Sequence, residues 1–224
     1  MTQPTPRTRV ARIPDRGHYD AATIYAILDA AHLCHVGFAL PQEDGAPPQP
    51  PQPFVTPTLF GRDGDQVYFH GSAASRMLRH AAGGFPVCLE VTIEDAIVLA
   101  RSAFHHSMNY RSVVVLGTAE LVTETAQKLR ALEIIAENVV PGRWADVRAP
   151  YEQELKATSV LRLPLNEASA KIRTGPPKDE EEDYSLPIWA GILPLRQTAG
   201  ELQPDPRLTP GIEIPEYLRK LSIG

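Results

Sequence analysis

The sequence has little cysteine, no excess of positive charge and no long apolar run. Its 224 residues include only two cysteines, Cys34 and Cys88, which is too few for a disulfide framework and typical of a reducing compartment. The formal net charge of −5 gives no overall positive field to attract nucleic acid or an anionic membrane. No segment approaches the ~20 apolar residues of a membrane span, and the basic start lacks the apolar core of a signal peptide. We therefore expect a cytoplasmic protein that binds neither nucleic acid nor membrane.

Proline, in contrast, is abundant, with 22 residues against an average usage of about 5%. Seven of them fall within the 17 positions of residues 41–57, which favours extended backbone. This segment is either a docking site for a proline-recognition domain or a stiff insertion between two strands, and we favour the insertion. Residues 174–224 are also rich in proline and acidic residues, which predicts a strap with no helix or strand of its own. We predict one domain over residues 1–195 and a tail, 196–224, that packs on it.

Short runs rich in β-branched and aromatic residues predict six or seven strands. They cover residues 32–40, 54–60, 66–71, 85–93, 96–100, 110–123 and 159–168. Because most links between them are short, the pattern favours a β-rich α+β fold, a closed or half-closed barrel of mostly antiparallel strands with flanking helices.

Helical spacing of apolar residues predicts three helices, at residues 20–31, 72–82 and 124–140. The first places Ile24, Ile27 and Leu28 on one face. The last carries an apolar stripe formed by Leu129, Leu132, Ile135 and Val139.

The strand-to-helix junction VYFHGSAASRMLRH predicts an anion site. Ser72 would begin a helix whose unpaired N–H groups attract negative charge. Ser75 adds a hydroxyl, and Arg76 and Arg79 lie three positions apart, hence on one helix face. The pattern fits a phosphate monoester, although a capping serine followed by a solvated basic face explains the same residues.

A second polar stretch begins a strand that is otherwise apolar. The loop with His105, His106, Ser107 and Asn109 leads to Tyr110 and Ser112 on one strand face and Arg111 on the other. Such an opening lines a ligand pocket in many proteins, but an exposed edge with an ordinary arginine is the alternative.

Two further patterns carry less information. Pro57, within Val55, Thr56, Pro57 and Thr58, marks a strand edge or bulge where backbone groups can face a planar heterocycle. His32, Cys34 and His35 have the composition of a metal site, but residue 35 faces away from the other two, so we expect no metal site.

Several segments together resemble a known family. YFHGSAASRMLRHAAGG, VCLEVT, the S-x-NYRSVVVLG run, ASAKIRTG and WAGILP follow one another over about residues 12–194. In this order they resemble the pyridoxamine 5'-phosphate oxidase-related FMN-binding proteins, and most of all the branch with nitroimidazole-resistance proteins. The resemblance implies a split β-barrel homodimer that binds FMN in two clefts between the subunits.

The resemblance also implies roles for individual residues. The FMN phosphate would be held by His70, Ser72, Ser75, Arg76 and Arg79. The isoalloxazine ring would lie beside Val55, Thr56, Pro57 and Thr58, with Tyr110, Arg111 and Ser112 on a flavin-contacting strand and Trp189 reaching over from the partner chain.

The chain also departs from the true pyridoxamine phosphate oxidases. Those enzymes have an arginine and a lysine where this chain has Phe54 and Leu59, and a C-terminal arginine–histidine segment that is lacking here, so we do not expect vitamin B6 oxidase activity. We expect an FMN-dependent oxidoreductase, for example a nitroaromatic or quinone reductase using NADH or NADPH, with His70 and His106 as candidate catalytic residues. No GxGxxG follows a strand, which favours FMN over FAD. The alternatives are a flavin-holding or sensing protein without turnover and a cofactor-free scaffold.

Overall fold

The computed structural model describes residues 3–40, 50–73 and 84–221. The strands in these ranges are β1 Gly17–His18, β2 Leu33–Leu40, β3 Gln52–Asp63, β4 Gln66–Ser72, β5 Phe85–Leu99, β6 Ser107–Leu121, β7 Thr158–Pro164, β8 Ala168–Arg173 and β9 Gly191–Pro194. The α-helices are α1 Ala21–Asp29, α2 Thr125–Val139, α3 Glu152–Ala157 and α4 Glu216–Arg219. None of these helices is long and apolar enough to cross a membrane.

Six strands form a closed ring in the order β6–β7–β4–β3–β2–β5, and β5 pairs with β6 to complete it. These pairings are all antiparallel. β8 and β1 extend the sheet beyond β6, and β9 pairs with the end of β5. The predicted β-rich α+β class and split barrel are therefore confirmed.

Strand β3 changes partners part-way along its length. Residues 52–59 pair with β2, and residues 60–63 pair with β4. As a result, the second edge of residues 52–59 has no ladder partner in the described part of the chain. The split of the barrel lies at this edge.

Helix α1 closes the barrel with the predicted apolar face. Asp20 caps the helix by accepting a hydrogen bond from the Thr23 N–H at 2.8 Å, and the same contact lowers the pKa of its carboxyl group. Ile24 and Leu28 are completely buried and Ile27 nearly so, within the main apolar core. Burying a side chain of this size contributes roughly 1.5–3 kcal/mol to the free energy of folding. The three buried side chains of α1 therefore stabilise the fold substantially.

Helix α2 packs on the outside of the barrel against β3, β4 and β7. Ala131, Ile134 and Ile135 are buried there, and Gly61 of β3 allows the close approach. A Cβ atom at Gly61 would lie 2.7 Å from the Ile134 carbonyl oxygen. Of the predicted stripe only Ile135 is buried, while Leu132 and Val139 are half-buried and line a cavity beside the helix.

Several boundaries differ from the sequence-based prediction. The two strands predicted over residues 85–100 are one strand, β5, whose register shifts between Glu94 and Ala96. The strap predicted for residues 174–224 to lack helices and strands contains β9 and α4, so that prediction is wrong. Ser72 ends β4 instead of beginning a helix, and the Ala73 N–H continues the ladder to the Ala157 carbonyl. Residues 74–82 of that predicted helix, and residues 41–49 of the proline-rich segment, lie outside the described residues.

Candidate functional site

A cavity of about 450 Å³ lies between α2 and the outer side of the barrel. Its walls are mostly apolar and come from Leu59, Leu132, Ile135, Ala136, Val139, Val140, Trp144, Pro150 and Leu155. The polar lining residues are His70, Arg143, Glu154 and Thr158. This size falls within the roughly 300–1,000 Å³ of small-molecule and cofactor sites.

Helix α2 supplies one whole wall of this cavity. Leu132, Ala136 and Val139 follow each other at intervals of four and three residues and thus lie on one side of the helix. Ala131 and Ile134 face the barrel instead. Because α2 is apolar on two sides, it can pack on the core and still offer an apolar surface to a ligand.

Among the titratable groups that line the cavity, His70 has a buried ring nitrogen without a hydrogen-bond partner in the described part of the chain. Along β4, Val67 and Phe69 are completely buried in the core, so alternation directs His70 to the opposite side. Its Nδ1 atom is buried and has no hydrogen-bond partner among the described residues. Burial lowers the pKa of His70, which favours the neutral imidazole. A neutral imidazole with an unpaired nitrogen can donate its lone pair to a metal ion.

The loop after α2 is held by a single carboxylate. Glu137 accepts hydrogen bonds from the Gly142 N–H at 2.6 Å and from the Trp144 N–H at 2.7 Å. Gly142 has φ +86°, a conformation that favours glycine. Glu137 thus positions Arg143 and Trp144 at the cavity.

The polar rim of the cavity is tied to neighbouring segments. Arg143 donates to the Tyr217 hydroxyl at 3.0 Å, and that hydroxyl donates to Asp146 at 2.8 Å, which links helix α4 to the cavity. Glu154 is hydrogen-bonded by Arg148, which together with the Tyr151 N–H lowers the pKa of its carboxyl group to about 2.

Replacing Glu137 by alanine is expected to lower the free energy of unfolding by about 1–3 kcal/mol, because two backbone N–H groups lose a charged acceptor. Urea unfolding followed by circular dichroism would measure this change. The matched control is Glu133→Ala on the same helix, where the carboxylate pairs, among the residues the structure describes, with the exposed side chain of Arg130 alone. Equal effects of the two substitutions would contradict the structural role of Glu137.

The residues predicted to contact the flavin ring lie on two separate strands. Val55, Thr56 and Pro57 are exposed on the open part of β3, and Thr58 is half-buried. Tyr110, Arg111 and Ser112 lie on β6 between β5 and β8. Since β2 and β5 separate β3 from β6, the two groups are about 14 Å apart within one chain, at ~4.8 Å per strand. By strand alternation and pairing, Val55, Pro57, Tyr110 and Ser112 nevertheless share the outer face of the sheet.

Two polar members of this group already have partners. Arg111 makes a two-pronged ion pair with Asp95, with contacts of 2.8 and 3.0 Å, and this pairing raises the pKa of its guanidinium group. Ser112 donates to the Lys171 carbonyl at 3.3 Å. The charge of Arg111 is therefore neutralised within the sheet.

The predicted phosphate site is only partly visible. His70 and Thr58 are adjacent, since the Thr58 hydroxyl donates to the His70 carbonyl at 3.0 Å. Ser72 is exposed at the end of β4. Ser75, Arg76 and Arg79 lie outside the described residues, so the phosphate site stays a prediction.

The remaining predicted residues lie away from the cavity lining. His106 Nδ1 is 2.8 Å from the Ser102 carbonyl oxygen, and His105 is 3.5 Å from Glu180. Trp189 is 70% exposed and lies against Gly191 of its own chain, so its predicted contact with a partner stays a prediction.

The residues of the histidine–cysteine cluster, His32, Cys34 and His35, have ordinary structural surroundings. Burial raises the pKa of Cys34 to about 12, and its thiol donates to the Thr58 carbonyl. His32 contacts the Asn138 carbonyl at 3.0 Å, and His35 lies on the outer sheet face beside Glu90. Within residues 3–40, 50–73 and 84–221, no three His, Cys, Asp or Glu side chains are grouped so as to hold a metal ion.

Comparison with known proteins places this architecture in a family. The family model of pyridoxamine 5'-phosphate oxidase matches residues 20–172. This chain belongs to the pyridoxamine 5'-phosphate oxidase family. The predicted family is thereby confirmed. No curated protein sequence matches this family member.

Solved structures extend the likeness of this pyridoxamine 5'-phosphate oxidase family member to its whole length. The flavocytochrome Anf3 from Azotobacter vinelandii is 42% identical, with 100% of both chains covered and a TM-score of 0.88. A FAD and heme binding protein from Mycobacterium smegmatis is 32% identical, covering 92% of this chain and 97% of its own, with a TM-score of 0.82. A 5-nitroimidazole antibiotic resistance protein from Bacteroides thetaiotaomicron is 22% identical over 70% of this chain and 86% of its own, with a TM-score of 0.52, a likeness of fold alone.

Sequence reasoning missed the cavity itself. Its walls combine one side of α2 with residues 140–158, a stretch that the sequence marks only by loop-like composition. The second apolar side of α2, at Leu132, Ala136 and Val139, indicates that another part of the chain packs over the helix on that side.

Proposed function

We propose that this chain is a small redox protein that binds a flavin nucleotide and a heme, and that the His70 cavity is the heme site. Support comes from two relatives above 30% identity, a flavocytochrome and a FAD and heme binding protein, which match nearly the whole chain. The observation that carries the proposal is His70, which lines an apolar cavity and whose buried Nδ1 atom has no hydrogen-bond partner within the described residues.

The residues present fit the needs of a heme. Heme iron is commonly held by a proximal histidine, and the ring needs apolar walls around it. His70 would be the iron ligand, while Leu132, Ala136 and Val139 would cover the ring and exclude water. Arg143 at the rim would pair with an anionic propionate, and its hydrogen bond to Tyr217 keeps the guanidinium group in place. When bound, the heme supplies one-electron transfer.

The flavin site is proposed on the outer sheet face near the open part of β3. Val55 and Pro57 offer an exposed, apolar backbone segment beside which a planar ring can lie, and Tyr110 and Ser112 share this face. FMN is the flavin that the sequence favours, whereas the relative from M. smegmatis binds FAD. In both cases the phosphate would be held near residues 72–79.

A flavin and a heme in one small chain favour an oxidoreductase. Flavins accept electron pairs from hydride donors, and heme accepts single electrons, so the pair can convert one kind of transfer into the other. NADH or NADPH is the proposed donor. The alternative function is a protein that holds a flavin without catalysing a reaction.

The test of cofactor content is a titration of cofactor-free protein with riboflavin, FMN and FAD, and separately with hemin. Arg76→Ala is expected to weaken the binding of FMN and FAD by about 1.5–3 kcal/mol and to leave riboflavin unaffected, because a charged hydrogen bond to phosphate is lost. Arg79→Ala, one turn further along, should have a smaller effect. If the unaltered protein bound riboflavin, which has no phosphate, as tightly as FMN, that result would contradict the phosphate site.

Turnover is tested by rapid mixing of the loaded protein with NADH or NADPH. Flavin bleaching followed by reduction of the heme Soret band supports the oxidoreductase. If neither nicotinamide reduces the bound flavin faster than free flavin, the flavin-holding function replaces it.

A further inference from the structure

Helix α4 is hydrogen-bonded to the body of the protein through one side chain. It follows residues 196–214, here called the C-terminal arm, all 19 of which are exposed. Within the described part of the chain, the only hydrogen bonds or ion pairs that join residues 196–221 to earlier residues are those of the Tyr217 hydroxyl. The remaining ones are internal to this stretch. Because one hydroxyl makes all of these links, α4 can detach without breaking any other polar contact.

The ring of Tyr217 lies on the loop at the edge of the cavity. A Cβ atom at Gly142 would be 3.5 Å from the ring carbon Cγ of Tyr217. Gly142 belongs to the loop that Glu137 holds, and the next residue, Arg143, lines the cavity. Helix α4 therefore docks directly on the loop that carries part of the polar rim.

The hydroxyl of Tyr217 holds one nitrogen of Arg143 and leaves the rest of the guanidinium group open. Arg143 Nη1 donates to the Tyr217 hydroxyl oxygen at 3.0 Å and to Asp146 Oδ2 at 3.4 Å, and the hydroxyl donates to the same Oδ2 at 2.8 Å. Among the residues that the structure describes, Nε and Nη2 of Arg143 have no hydrogen-bond partner. A guanidinium group carries five N–H donors in a fixed fork, so its remaining edge can bind an anion.

Without this hydroxyl, Arg143 and Asp146 would form an ordinary exposed ion pair. Their side chains are 45% and 47% exposed and lie three positions apart in the sequence. Such pairs contribute little and do not fix long side chains in one geometry. The Tyr217 hydroxyl satisfies the Asp146 carboxylate and fixes Nη1 at the same time. Arg143 therefore loses less conformational freedom when an anion binds to its open edge.

We propose that Tyr217 is a positioning residue for anionic ligands of the His70 cavity, and that docking of α4 and occupation of the cavity are linked. An apolar ligand with a negatively charged group would place its apolar part in the cavity and its charge at Arg143. Docked α4 favours this pairing because Arg143 is already oriented. By thermodynamic reciprocity, the bound ligand favours docked α4 by the same factor.

The linkage requires that α4 has two states, docked and detached. A short helix that follows an exposed arm and is held by one hydroxyl has the low local stability from which such states arise. The inference rests on the proposed function for the natural ligand, a heme whose propionates are its anionic groups. The linkage itself requires only an apolar anion.

The test compares paired ligands that differ in charge. Anilinonaphthalene sulfonate is an apolar anion that fluoresces in apolar cavities, and N-phenylnaphthylamine is an uncharged counterpart. Tyr217→Phe keeps the ring on Gly142 and removes the hydroxyl. It is expected to raise the dissociation constant of the anion about 10-fold and to leave that of the uncharged dye within about twofold. Hemin and hemin dimethyl ester form a second pair and should behave in the same way.

The matched control is Tyr184→Phe. It removes a hydroxyl that makes no hydrogen bond in the described ranges and keeps the ring that lies against the Arg101 guanidinium group. It should change neither dissociation constant. In an Arg143→Gln background, Tyr217→Phe should have no further effect, because Tyr217 acts through Arg143. Circular dichroism would verify that each variant is folded.

Hydrogen exchange tests the reverse direction of the linkage. The amides of residues 218–221, which donate within α4, should gain about 10-fold protection when the anionic dye binds to the unaltered protein, and none in Tyr217→Phe. Four results would each overturn the proposal: no preference of the unaltered protein for the anionic member of either pair, equal effects of the two tyrosine substitutions, equal effects on charged and uncharged ligands, or exchange of α4 that binding does not change. Failure of the heme assignment would be recognised separately, because hemin binding would then be insensitive to His70→Ala, whereas the dye comparison does not involve heme.

Discussion

Replacing His70 by alanine is expected to remove stable heme binding, with at least about a 100-fold rise in the dissociation constant for hemin. The imidazole is the one metal-binding side chain among the described residues that line the cavity, apart from Glu154, whose carboxylate is tied to Arg148. Flavin binding should persist, because the side chains proposed to lie beside the flavin ring, Val55, Pro57, Tyr110 and Ser112, do not line the cavity. Hemin titration followed at the Soret band would measure the loss.

The control for this substitution is His106→Ala. His106 was the second candidate catalytic histidine, but its ring contacts the Ser102 carbonyl and is not part of the cavity lining. His106→Ala should bind hemin as the unaltered protein does. Added imidazole should partly restore the Soret band of His70→Ala. Hemin binding to His70→Ala with undiminished affinity would show that the cavity is not the heme site.

Replacing Gly61 by alanine is expected to destabilise the fold and the cavity together. The new Cβ would lie 2.7 Å from the Ile134 carbonyl oxygen, which is backbone and cannot rotate away. Helix α2 would have to move outwards from β3, at a cost of about 1–3 kcal/mol in the free energy of unfolding. The same movement displaces Leu132, Ala136 and Val139, so hemin affinity should fall as well. Urea unfolding and hemin titration measure the two effects.

Gly200→Ala provides the matched control on the exposed arm, since nothing lies within 4 Å of the position that its Cβ would occupy. It should leave stability and hemin affinity unchanged. If Gly61→Ala were as stable as the unaltered protein, the close contact between α2 and β3 would have to be looser than the structure shows.

The sequence by itself determined the fold class, the family and most of the barrel. Strands such as β2 and β4 alternate buried residues with exposed or half-buried ones, and α1 carries its buried side chains, Ile24 and Leu28, at helical spacing. Both patterns arise between neighbours along the chain, because periodicity follows from local backbone geometry. Short elements such as β8, β9 and α3 were missed, since four to six residues carry too little periodicity to be recognised.

Only the tertiary structure decided what the two sides of α2 face and which polar groups are paired. The stripe at Leu132 and Val139 has the same spacing as a core stripe, but it borders a cavity because the loop after α2 folds over it, held by Glu137. The pairing of Arg111 with Asp95 joins residues 16 positions apart on β6 and β5. The residues that surround His70 in the cavity come from α2 and from residues 140–158, which are distant from His70 in the sequence. Contacts between residues distant in sequence leave no local period, so they emerge only when the barrel closes and the helix docks.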